Sequence, residues 1–336
     1  MEINVKKFVD INISRHETSA EDGTRPIVTL LLSNADDDVS AYEKIFNDNG
    51  GIALEKHVLS SSTPQTIANE LRATLSKERI IIAKSESVII SMKEIAAAYN
   101  DLLKTNGDSG VYQKIFLDKA KEVPGVNLNV ERYALKISKQ VGAEMTMAAY
   151  LSKMRCYETD GVKDYAFTIE DIIAEDEDDD ILSKVIDYDC NIDMTLSGAV
   201  RNLGGNTTNG QSLANEFCLI VLQQTVTDKV LACLMQKLKG QKGISSIYAC
   251  ICKEVSKYLT SGYLVNDRVW TDASIYKDGN LLIEKGQMLQ QGFWLTILPY
   301  SSLSDDDKKN GKCPPIYLYL AEAYGIREVK IVGEVF

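Results

Sequence analysis

The sequence predicts an α+β protein with an α/β-like core: a mixed β-sheet flanked by helices, with extended terminal β-strand arms. Three observations predict it. Residues 27–85 follow a strand–helix–helix–strand order. Two strong helical stripes follow one another on either side of residue 240. Both ends of the chain alternate apolar and polar residues with period two.

At the amino end, Ile3, Val5, Val9, Ile11 and Ile13 share one parity, and Glu2, Asn4, Lys6, Asp10 and Asn12 the other, as in a half-buried strand. At the carboxyl end Val329, Ile331 and Val335 alternate with Glu328, Lys330 and Glu334, with Gly333 interrupting the apolar side. Terminal segments stay ordered only when tied down. Two readings are open: each strand pairs within its own domain, or each adds to the sheet of a neighbouring molecule.

Between the ends, Ile27–Ser33 reads as a buried strand, and residues 40–51 as a short helix closed by Gly50 and Gly51. A second helix follows Pro64, capped by Ser62 or Thr63, with the stripe Ile67, Leu71 and Leu75. Ile80–Ser85 is another buried strand. Residues 86–170 are mixed and helical and lead into the acidic run Glu175–Asp180.

Residues 181–196 are strand-like, and Gly204–Gly210 is a glycine-rich flexible loop. A long helix carries Leu219, Leu222, Val226, Val230, Cys233 or Leu234, and Leu238 on one stripe, and Gly240 stops it. A second, capped by Ser245 or Ser246, carries Ile247, Ile251, Val255 and Tyr258 and ends at Gly262. Their short linker predicts antiparallel neighbours. The remainder is β, with a hairpin signal at Asp278-Gly279. The expected organisation is an N-terminal arm (1–20), a first core part (21–85), an inserted or outer helical region with its acidic loop (86–180), a second core part (181–325) and a C-terminal arm (326–336).

Composition narrows the function. Of 336 residues, 45% are hydrophobic, enough for a real core, and the net charge of −11 argues against a general nucleic-acid binder. Seven scattered cysteines argue for a reducing compartment rather than a disulfide framework. No apolar run is expected to span a bilayer.

Catalytic chemistry is not evident. His16 and His57 stand in no nucleophile or metal pattern, and the glycine-rich loop lacks the Lys-Ser/Thr ending that cradles phosphate. The acidic run lacks the spacing of a calcium loop, and the triplets Asp36–Asp38 and Asp305–Asp307 read as helix-start or turn charges. Lys237, Lys239 and Lys242 complement a helix dipole if they end the first long helix; in an acidic protein they also make a local positive contact patch. No catalytic, cofactor-binding or metal residue is assigned, and the expectation is a non-enzyme without cofactors.

The run Val9-Asp10-Ile11-Asn12-Ile13-Ser14 is similar to the opening arm of phage tail proteins that resemble contractile-tail sheath subunits. The C-terminal part resembles them too: a long helix, a second ending in Gly262-Tyr263-Leu264, a hairpin, a strand ending at Pro299, a polar linker and two final strands. Ala323-Tyr324-Gly325-Ile326-Arg327-Glu328-Val329 resembles the turn into the last strand. The resemblance covers the first thirty residues and Ile181–Phe336.

It implies a structural subunit of the virion tail, assembled in the bacterial host cytoplasm. Its arms link neighbouring copies in a helical sheath around an inner tube. Implied partners are the chain itself, the tube protein, and baseplate and terminator proteins, with no nucleic acid and no direct membrane insertion. Lys237, Lys239 and Lys242 become a candidate strip facing an acidic tube, and Arg15–Pro26 and Glu322–Ile326 candidate hinges. Two alternatives stand beside this: a tail tube or terminator-type structural protein, and, from a different class, an α/β enzyme or small-molecule-binding protein.

Overall fold

The computed structural model describes residues 27–32, 36, 38–49, 54–58, 79–83, 133–134, 136–137, 145–174, 191–207, 210–236 and 239–325. The expected arm strands, the helix after Pro64, the closing Gly50 and Gly51, His16 and the acidic run lie outside them. The described residues fall into two compact units. One draws on 26–154, 163–217 and 324–336, the other on 155–162 and 218–323.

The first unit begins with the predicted α/β region. Strands β1 (Ile27–Leu32), β2 (Leu54–Val58), β3 (Arg79–Ala83) and β4 (Tyr133–Ala134) form a parallel sheet ordered β2-β1-β3-β4. β1 is central, and Val28, Leu30 and Leu32 are buried along it. Helix α1 (Ser40–Asp48) buries Tyr42 and Phe46, and its first turn is held by Asp38, whose Oδ1 accepts from the Ser40 amide. β2 was not expected. Its sequence LEKHV has no clean alternation, and parallel pairing with β1 makes it a strand; His57 lies in it, opposite Leu31.

Helix α2 (Met145–Lys153) falls in the region expected to be helical, and the Asn49 carboxamide ties α1 to it by donating to Ser152 Oγ at 3.1 Å. Strands β5 (Lys136–Ile137), β6 (Asn191–Leu196) and β7 (Ala199–Leu203) make a small mixed sheet. The buried amide of Asn191 accepts from Gly205 N at 2.7 Å and donates to Asn206 O at 3.0 Å. The glycine-rich segment is therefore a loop, as expected, but Gly204–Asn206 are pinned to β6 rather than freely flexible. Tyr165 is fully buried beside α2, and burial, then the charge of Glu170, pushes its phenol well above the usual tyrosine range.

The second unit is built on the predicted helix pair. Helix α3 (Leu213–Met235) starts in the first unit and continues into this one; α4 (Gly240–Thr260) follows. The stripe residues Leu219, Leu222, Val226 and Val230 of α3 are buried, as are Ile247, Ile251, Val255 and Tyr258 of α4. The Tyr258 hydroxyl donates to Thr225 Oγ1 at 3.4 Å, and the Cys250 thiol bonds that of Cys233. Moving eight residues back along α4 thus moves eight forward along α3, so the pair is antiparallel.

Two boundaries differ from expectation. α4 starts at Gly240 rather than after Ser245 or Ser246; the Ser245 hydroxyl, inside the helix, donates to Gln241 O. Gly240 does not merely stop α3, which ends at Met235, but opens α4 with φ of +56°. At the other end, Gly262 (φ +88°) closes α4 as expected. Its amide and that of Tyr263 bond Leu259 O and Tyr258 O, the paired bonds of a Schellman ending. A further correction concerns α3 itself. At 23 residues it is long and apolar enough to cross a membrane, against the sequence reading, although half of its most apolar stretch is buried inside the protein.

The rest of the unit is β. Strands β8 (Ile275–Lys277) and β9 (Asn280–Ile283) turn through Asp278 (φ +49°) and Gly279 (φ +77°), the hairpin predicted from that dipeptide. β10 (Phe293–Ile297) pairs antiparallel with β11 (Ile316–Leu320). Between them lies α5 (Asp305–Lys309), capped by Ser304, whose Oγ accepts from the Asp307 amide; all three aspartates fall in its first turn, as helix-start charges should. After β11, Glu322 bridges Leu264, and the buried Tyr263 hydroxyl donates to Glu322 Oε1 at 2.6 Å.

Gly292 (φ +77°) has no room for a side chain, since a Cβ there would lie 2.8 Å from Leu264 Cβ, whereas Gly279 faces open space. Gly292→Ala should destabilise by about 2–4 kcal/mol and Gly279→Ala by about 1 kcal/mol in urea titrations. Equal losses would show that the contact with Leu264 is irrelevant. Tyr263→Phe should cost about 1.5–3 kcal/mol by leaving a buried carboxylate oxygen short of a donor, read as a lower urea midpoint at unchanged slope.

Candidate assembly surface

Three features of the second unit present groups to the outside. The first is the β10–β11 sheet, which has two strands among the described residues. β10 is backed by β9, where the Trp294 indole N–H and the Thr296 hydroxyl both donate to Leu282 O. No described strand flanks β11, and each of its residues is half-exposed. A two-stranded sheet is marginal in water without further packing, and an open edge is a template for another strand.

The second feature is the tip of the helix pair. The register brings Met235 level with Tyr248. Leu234, Met235 and Tyr248 are all exposed there, Met235 to 69%. Lys239 stands at the N-cap of α4 and Lys242 in its first turn; both are exposed, and no acidic residue occupies that turn. This corrects the helix-end reading of the lysines. They stand where a helix begins, so their charge opposes the dipole instead of complementing it. Lys237 lies outside the described residues. The tip therefore combines apolar side chains with positive charge that no acidic residue of the α4 first turn offsets. Nearby, burial first and then the bond to Cys233 push the Cys250 thiol up to about 11, so it is neutral at physiological pH.

The third feature is the root of the C-terminal segment. Val265 N donates to Ala321 O, Ala321 N to Gly292 O, and Ala323 N to Tyr263 O. With the Tyr263–Glu322 bond, these fix residues 321–323. Gly325, which belongs to the first unit, packs there so closely on Asp164 that an added Cβ would lie 2.1 Å from its carboxylate. Of the expected hinge 322–326, the first two residues are anchored. The arm residues Ile3, Val5, Val9, Ile11, Ile13, Val329, Ile331 and Val335 lie outside the described residues. Sequence reasoning missed the buried Tyr263–Glu322 pair and the apolar tip. A signal for the tip was present: Met235 and Tyr248 fall off the two buried stripes.

Among the described residues, no group of three or more His, Cys, Asp or Glu is placed to hold a metal ion. Among the described residues the unit offers a sheet edge without a flanking strand, a charged apolar tip and an anchored chain root, features that suit contacts between proteins.

Comparison with known proteins agrees with that character. No curated protein matches the chain significantly. Residues 214–335 match the family model described as E217 tail sheath protein gp31-like, C-terminal domain. The match begins one residue into α3 and takes in the helix pair, the β8–β9 hairpin and the β10–β11 sheet. The earlier resemblance thus reappears over these C-terminal elements, where the chain is similar to the C-terminal domain of a phage tail sheath protein.

Proposed function

We propose that this structural protein polymerises helically around an inner tail tube, linked by its terminal strands, and that it contracts by rearrangement of subunits. Ile3, Val5, Val9, Ile11 and Ile13 at one end, and Val329, Ile331 and Val335 at the other, pair with sheets of neighbouring copies. The observation that supports this reading is that no described strand flanks the edge of β11, within the part similar to a sheath C-terminal domain. Added strands would complete a sheet that is marginal with two.

Magnitudes set the division of labour. Two arms supply about ten outward backbone bonds worth roughly 1 kcal/mol each. Fixing one subunit costs about 4–15 kcal/mol. The arms alone roughly break even, so contacts between cores decide which lattice is stable while the arms keep subunits joined. Head-to-tail contacts that do not close produce an open helix. The energy of contraction is stored at assembly, without nucleotide or cofactor. The tip, with Lys239, Lys242 and the neighbouring Lys237, faces an acidic tube surface, and baseplate and terminator proteins meet the ends. Assembly takes place in the host cytoplasm.

Negative-stain microscopy of the purified protein should show tubes, rings or contracted sheath, and removal of Met1–Ser14 should leave a folded, soluble monomer. A truncated chain that unfolds would place the first strand in its own core and overturn strand exchange. Charge reversal at the tip, Lys239→Glu with Lys242→Glu, should weaken co-sedimentation with the particle's tube at least tenfold and preserve tube-free polymers. Unchanged co-sedimentation would remove the tip from the tube contact.

A further inference from the structure

We propose that Cys156 and Cys218 form an oxidisable dithiol, which a small peroxide converts into an intramolecular disulfide. Their sulfurs lie 3.0 Å apart in the second unit, neither is in a disulfide, and both side chains are shielded from solvent. A disulfide needs sulfurs about 2.05 Å apart, so closure requires a movement of roughly 1 Å.

The spacing is set by backbone on both sides. Cys218 is on α3. Cys156 is in the loop 155–162, which is closed on itself by bonds from Arg155 N to Gly161 O and from Gly161 N to Glu158 O. The loop is moored to the end of α4 by bonds from Asp160 N to Thr260 O and from Val162 N to Ser261 O. Gly161 is required there, because a Cβ would lie 2.0 Å from Arg155 O. The thiols are thus presented to one another by fixed elements, not brought together by chance side-chain rotation.

The chemistry balances with a peroxide as oxidant. One thiolate attacks a peroxide oxygen, giving a sulfenic acid and, after proton transfer, water. The second thiolate attacks the sulfenic sulfur and a second water leaves. Two thiols and one hydrogen peroxide become one disulfide and two waters. Burial pushes the Cys218 thiol well above the usual range, which makes the first step slow. A small neutral oxidant suits such a site better than a bulky disulfide reagent. Closing the chain between residues 156 and 218 constrains the unfolded state and raises stability. The site is independent of the assembly reading.

The test uses the full chain. After exposure to hydrogen peroxide, remaining thiols are blocked by alkylation and the unreduced protein is digested for mass spectrometry. A peptide linking Cys156 to Cys218 is expected. The melting temperature should rise by roughly 5 °C, reversibly with dithiothreitol. Cys156→Ser should abolish the rise, and the double variant Cys233→Ser, Cys250→Ser should keep it. Recovery of Cys156 and Cys218 as separate alkylated or over-oxidised residues, or a Cys233–Cys250 link instead, would overturn the proposal. Should Cys156→Ser not fold, the peptide map of the unaltered chain decides alone.

Discussion

In the β10–β11 pair each strand satisfies one row of backbone groups on the other, from Phe293 opposite Leu320 to Ile297 opposite Ile316. The second row of each strand must find other partners, because peptide N–H and C=O groups tolerate neither burial nor isolation without them. β10 lies against β9, where the Trp294 indole and the Thr296 hydroxyl donate to Leu282 O, so its side chains cover that flank. β11 has no such cover among the described residues. The assembly behaviour proposed for this chain depends on that difference in side-chain cover, since the less covered edge is the easier one for an added strand to reach.

The helix pair behind it supplies rigidity. The first two turns of α3 are buried on every side, as in a helix enclosed by protein, while its last turns emerge. α4 ends in a fully bonded glycine turn and begins with lysines that no nearby acid in its own first turn relieves. Charge placed against a helix dipole costs some tenths of a kcal/mol per residue, and a partner surface of opposite sign would recover it. The same end of the pair carries Met235 and Tyr248 in the open, so one location concentrates both kinds of unsatisfied surface.

Much of this was legible in the sequence where a local rule sufficed. The stripes of α3 and α4 follow from periodicity, the β8–β9 turn from Asp278-Gly279 and the end of α4 from Gly262, while Asp305–Asp307 were read as helix-start or turn charges without the cap at Ser304. Failures occurred where the deciding contact was remote. β2 is a strand because β1 lies beside it, not because LEKHV alternates. The start of α4 escaped because Ser245 resembles a cap, yet the polypeptide can enter a helix at Gly240 without one. The Tyr263–Glu322 bond joins residues 59 apart, and the Cys156–Cys218 contact spans 62. The two ends of the latter belong to segments with no pattern in common. The sheath resemblance was readable over the C-terminal elements because their order is itself distinctive, and the family match falls on the same stretch.

The clasp at Tyr263 has a mechanical corollary. Residues 321–323 are bonded to Gly292, Val265 and Tyr263, and Glu322 is gripped from the side by a phenol next to the end of α4. Tension applied beyond Gly325 therefore meets this cleat before it reaches the ladder between β10 and β11. The load passes into a 21-residue rod instead of peeling a short ribbon open one rung at a time.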